Sequence, residues 1–261
     1  MILSLDPKNP LPHGRPGPGV SAAEQANEYR LIGELGALSG VEYPDDPELR
    51  ARIKAYELAF RMQASVPEAL GLGAEDRETR ELYGLDDAET RTAGERFLAA
   101  RRLVERGVRF VQVYPTPYSA WDSHTELRAA HGKQCARIDR PVAGLIRDLK
   151  RRGLLDETVI VFGTEFGRTP GLEARNGAGR NGRDHHPHGF SVWLAGGGVR
   201  GGTVHGATDE LGFHAQDPAH YVTDLHATVL HLMGLDPRRL AFPGRKRLEI
   251  DFGRPIKEIL A

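Results

Sequence analysis

Three short stretches of the chain carry side chains whose types and spacing could do chemistry. PTPYSAWDSH (115–124) supplies Asp122 and His124, GTEFGRTP (163–170) supplies Glu165 and Arg168, and GRDHHPHG (182–189) supplies Asp184, His185, His186 and His188. Carboxylate oxygens mixed with imidazole nitrogens suit zinc, manganese or iron, whereas an all-oxygen set suits magnesium or calcium. Two or more carboxylates would offset the charge of such an ion. Its open coordination position would polarise a phosphoryl, sulfuryl or carbonyl oxygen, or activate water. Arg168 could add a planar two-pronged fork for a tetrahedral oxyanion, which makes it the candidate catalytic residue.

Each of these residues also has an ordinary use. An Asp-x-His after a strand often caps a turn, and Glu165 could simply pair with Arg168. The Asp-His-His of 184–186, with His188 two residues on, is harder to assign to solvated surface. Asp224 and His226 fall at the start of a helical pattern, where Asp is a natural capping residue. His131, His205, His214, His220 and His231 have structural roles by default. The glycine runs at 196–198 and 201–202 match neither a P-loop nor a dinucleotide fingerprint and suit tight turns. The single Cys135 precludes an internal disulfide, and a small buried residue in a helix is its expected role.

The elements that must position these groups alternate along the chain. Residues 1–20, rich in Pro and Gly, read as an extended lead-in. Ser21 with Glu24 forms a capping-box pattern opening a helix to about Leu38. A second helix starts near Pro47, with Leu49, Ile53, Tyr56, Phe60 and Met62 on its apolar side, and stops at Pro67. A longer one covers about 88–106, so residues 21–107 form a helical segment. Residues 108–261 then read as the α/β, metal-binding portion of the same domain. Its strands fall at 108–114, 158–162 and 190–195. Its helices fall at 126–152, with Pro141 marking a kink or break and Gly153 the end, and at 221–233. That order implies a mainly parallel sheet with helices on its faces, and ligands in such sheets gather beyond the strand ends.

Bulk composition narrows the partners. The 261 residues can bury a substantial core in one large α/β domain or two small ones. A net charge of −1 leaves no basic footprint for nucleic acid and no polybasic membrane signal. No apolar run reaches spanning length, and no export signal opens the chain.

The blocks WDSH, DRPVAGLIRDLKRRGLLDETVIVFGTEFGRTP, GRDHHPHGFSVWLAGGGVRGG and TDLHATVLHLMGLD resemble a bacterial sulfatase-like family of unknown function, placed in the alkaline phosphatase-like superfamily. The resemblance runs over essentially the whole chain, most strongly from about Ala88 onward. It implies a three-layer α/β/α sandwich holding a divalent metal (zinc, calcium or magnesium) in which Asp122, His124, Glu165, Asp184, His185 and the less certain neighbour His186 match ligand positions. Glu165 stands where many relatives have the Asp of an Asp-His pair, and Phe166 replaces the His, which favours a single-metal or altered site. The resemblance also implies that this chain is the C-terminal portion of a longer, extracytoplasmic protein whose nucleophile lies elsewhere. The function expected from it is hydrolysis of a small-molecule or glycan sulfate or phosphate ester, with little turnover by this chain alone. The alternative is a non-catalytic binding or scaffold protein.

Overall fold

A computed structural model describes residues 2–3, 19–42, 46–49, 51–55, 70–173, 181–240 and 252–261, and the chain divides into two compact units. The first comprises residues 1–76, 98–114 and 241–249, and the second residues 77–97, 115–240 and 250–261. Most of the expected lead-in, and the part of the second expected helix bearing Tyr56, Phe60, Met62 and Pro67, lie outside the described residues.

In the first unit, helix α1 (Ala22–Glu42) opens on the capping box the sequence suggests. The Ser21 N–H donates to Glu24 at 2.8 Å, and the Glu24 N–H donates to the Ser21 hydroxyl at 3.1 Å, so two otherwise orphaned donors are satisfied. Residues 47–49 and 51–55 are helical, with the Asp46 carboxylate accepting from the Glu48 and Leu49 amides at 2.9 and 3.0 Å. The first unit also takes the later turns of α3 (Arg91–Glu105), where Leu98, Ala99, Ala100 and Leu103 are buried together with Leu70. Arg101 and Arg102 both reach Glu75 there, at 3.2 and 2.6 Å, so buried charge is paired. Strand β1 (Ile2–Leu3) pairs in parallel with β2 (Gln112–Val113) over two residues.

The second unit carries every candidate ligand. Its core joins α2 (Arg77–Leu82), the first turns of α3 and α4 (Leu127–Arg151), burying Tyr83, Leu85, Ala93, Phe97, Ile138, Leu145 and Leu149. Gly144 lets α4 pass against the Leu82 carbonyl, which a β-carbon at that position would approach to 2.5 Å. At its centre the fully buried Asp148 accepts from the Tyr83 hydroxyl at 3.1 Å and from Arg151 and Arg152 at 2.8 and 2.9 Å. The expected interruption at Pro141 does not occur, because α4 runs unbroken through it and the ring is buried among its neighbours. Gly153, at φ +69°, ends α4 as its sequence suggests: its N–H reaches the Lys150 carbonyl and that of Leu154 reaches Leu149. Cys135, expected to be buried, is exposed.

Strand β3 (Val159–Phe162) pairs antiparallel with β6 (Trp193–Gly196), and the Phe162 and Trp193 rings stack at 5.4 Å. Between them lies the pair β4 (Gly167–Arg168) and β5 (His185–His186). Further on, β7 (Ala207–Thr208) pairs with β8 (Ala215–Gln216), and α5 (Val222–Leu232) follows. Asp224 caps α5, accepting the Tyr221 amide at 3.0 Å and the Arg254 amide at 2.8 Å, which is the structural role expected for it.

The expectation of a mainly parallel sheet in a three-layer sandwich is therefore corrected. Among the described residues the strands form four separate two-stranded pairs, of which three are antiparallel and the parallel one spans only two residues. Parallel sheets need cover on both faces. Here Val161 is 41% exposed, Trp193 36% and Phe110 59%, so the apolar runs read as buried strands lack that cover. Of the run 108–114, only Gln112 and Val113 pair as strand. No helix among the described residues is long and apolar enough to cross a membrane.

Replacing Asp148 by Ala would remove the buried acceptor of the Tyr83 hydroxyl and one partner each of Arg151 and Arg152, and leave a cavity. A loss of about 3 kcal/mol in unfolding free energy is expected, read from urea denaturation of the variant against the wild type.

Candidate metal centre

Turns, not a sheet edge, present the first ligands. Between Pro117 and Ser123 the backbone folds back on itself repeatedly, with the Ala120 amide bonding the Pro117 carbonyl and that of Asp122 bonding Ser119. Ser119 at φ +62° and Glu126 at φ +49° flank Asp122 and His124 in left-handed conformations that cost a non-glycine residue on the order of 1 kcal/mol each. The Trp121 carbonyl accepts from His131 of α4 at 3.0 Å, and the Trp121 indole donates to Thr116 at 3.0 Å. Asp122 and His124 are thereby fixed against the start of α4.

The remaining side chains arrive on the β4–β5 pair. Its antiparallel register sets Arg168 opposite His185. Adjacent strand residues point to opposite faces, so His185 and His186 are sent in opposite directions. His185 Nε2 lies 3.0 Å from Asp122 Oδ1, while His186 Nε2 donates to the Phe213 carbonyl and its ring sits among His188, Phe213 and His214. The two segments are locked by Arg183, whose amide donates to the Ser123 carbonyl at 3.2 Å and whose side chain donates to the Thr169 carbonyl at 3.1 Å. Gly182 passes so close to His124 that a β-carbon there would come within 1.9 Å of the His124 carbonyl.

Asp122 Oδ1 is the hub. It accepts from an Arg168 guanidinium nitrogen, lies 3.0 Å from His185 Nε2 and lies 3.1 Å from His124 Nε2. On its far side His124 turns Nδ1 to the buried Glu173, at 2.6 Å from Oε2. Two groupings of three residues bring one ligand atom each within 4.8 Å of one another: Asp122, His124 and His185, and His124, Glu173 and Asp184. Of the residues singled out in the sequence, Asp122, His124, Asp184 and His185 thus converge, with Arg168 beside them. Glu165 is exposed and His186 is buried elsewhere, and neither joins these groupings. Phe166 contributes a ring instead of a ligand, lying against His185 at 4.5 Å between centroids. Glu173 was missed by sequence reasoning, since a lone Glu three residues after a proline carries no motif; its pairing depends on Gly182, whose carbonyl accepts the Glu173 amide at 3.0 Å.

Fold and site together define a helical protein with short strand pairs that carries an Asp–His–His cluster open to solvent. The chain belongs to the family described as "Protein of unknown function (DUF1501)", which it matches over residues 3–260. That family is distinct from the sulfatase-like one the motifs resemble, so this resemblance is withdrawn as an assignment. No curated protein and no solved structure matches the chain.

The hydrogen bond from Arg168, and then that from His185, hold the Asp122 carboxyl down to about 2, against the opposing effect of burial. A carboxyl pulled below its unfolded value stabilises the fold above that value, near pH 4, and the gain disappears as pH falls toward 2. With the side chain 34% exposed, solvent screening limits the effect to on the order of 1 kcal/mol. Asp122→Asn should therefore lower the urea midpoint at pH 6, and the gap to wild type should close between pH 4 and pH 2.

Proposed function

We propose that Asp122, His124 and His185 hold a divalent metal ion and that the chain contributes this centre to the hydrolysis of an anionic ester, a phosphate or sulfate ester of a small molecule or glycan. The observation that carries this reading is the convergence of one carboxylate and two imidazole groups, from positions as far apart as 122 and 185, with one ligand atom of each within 4.8 Å of the others. Mixed oxygen and nitrogen donors favour zinc, manganese or iron over magnesium or calcium. A bound ion would supply Lewis-acid polarisation of the ester's non-bridging oxygen. Arg168 stands beside the cluster, 19% exposed at its side chain, and offers a cationic fork to the same anionic group. The second Arg168 nitrogen donates to the Arg183 carbonyl at 3.2 Å, which fixes the plane of that fork.

A second reading is a non-catalytic binding or scaffold protein. The observation in its favour is that Asp122 Oδ1 is already engaged by Arg168, His124 and His185, an arrangement that is electrostatically complete without an ion.

Elemental analysis of the purified chain, paired with a screen against aryl phosphates and aryl sulfates, tests both readings. Stoichiometric transition metal that falls away in His185→Ala is the expected result, and unchanged metal content in that variant would count against the ligand assignment. Metal with ester turnover supports the hydrolase; metal without turnover supports the scaffold.

A further inference from the structure

His124 belongs to both groupings of potential ligands, and its two ring nitrogens face different carboxylates, Nε2 toward Asp122 and Nδ1 toward Glu173. We infer that Glu173 is a positioning residue that settles the choice, holding His124 through Nδ1 so that Nε2 faces the ion; the inference rests on the metal-binding reading above. Glu173 has only 8% of its surface exposed, and its Oε2 lies 2.6 Å from His124 Nδ1. A carboxylate can only accept, so Nδ1 carries a hydrogen toward Glu173; once an ion sits between Nε2 and Asp122 Oδ1, Nε2 is the nitrogen left to coordinate it. Nε2 points to Asp122 Oδ1, where His185 and Arg168 also gather, and this is the more open side. In the other grouping, Asp184 has one carboxylate oxygen engaged by the His185 amide at 2.8 Å. A carboxylate donated to by a ligating imidazole fixes the ring's tautomer and orientation and raises its basicity. Removing such partners commonly lowers metal affinity 10- to 100-fold, by about the same range expected here.

Glu173 is itself held in place. Its amide bonds the Gly182 carbonyl, and Gly182 presses on the backbone of His124, so the carboxylate and the ring it orients are registered through one short stretch of chain. That geometry distinguishes a positioning role from a surface ion pair.

The test uses the full chain, stripped by chelator and titrated with zinc alone. Glu173→Gln, with far-UV circular dichroism confirming its fold, should bind zinc roughly 10- to 100-fold more weakly. Glu173→Asp, which keeps the charge, should recover part of the loss, whereas Asp184→Asn should change affinity little. Nitrogen-15 NMR of the zinc-loaded wild type should show the His124 hydrogen on Nδ1 and the metal on Nε2, a readout that needs no variant. Zinc on Nδ1, affinity lost in Asp184→Asn but kept in His185→Ala, or wild-type affinity in Glu173→Gln would each overturn the role of Glu173 while leaving metal binding intact. A wild-type chain that takes up no zinc would overturn both.

Discussion

One carboxylate oxygen, Oδ1 of Asp122, collects a guanidinium and two imidazoles from three separate parts of the second unit. Three positive or polar donors around a single anionic atom cannot be held by that atom alone. They require the turns of 117–123, the register of the β4–β5 pair and the close approach of Gly182 to be satisfied together. Each constraint is local. The cluster exists because they agree.

The same arrangement explains how a metal-binding reading and a structural reading can attach to the same residues. Arg168 occupies the position of positive charge that a cation would otherwise fill, so the cluster is balanced as it stands. An incoming ion would compete with a guanidinium for Asp122 and would free that guanidinium for an anion. A charge-balanced cluster and a metal centre are thus two readings of one set of side chains, not features of two different sites.

How much of this was legible in the sequence varies by element. Helix ends read well, because the signals at Ser21, Glu24 and Gly153 are local and their hydrogen bonds form within a few residues. The parallel sheet was misread because short β-branched runs such as 159–162 do not announce their partner, and the antiparallel pairing with 193–196 came from the chain folding back. Pro141 did not interrupt α4, since burial of its ring offsets one missing helical hydrogen bond. At the site, four candidate ligands were found by residue type and spacing. The period-two alternation of a strand then divided His185 from His186, an outcome no count of histidines could give. Glu173 was invisible because its partner lies 49 residues away in the chain.

The continuity of α4 has a mechanical consequence. At 1.5 Å per residue its 25 residues form a strut of about 37 Å. Near one end the His131 ring grips the Trp121 carbonyl, and near the other Asp148 is anchored in the interior. A rigid rod between an anchor and a loop transmits axial displacement with little loss. A change of packing around Asp148 would therefore be felt as a shift in where Asp122 and His124 stand, about 25 Å away along the rod.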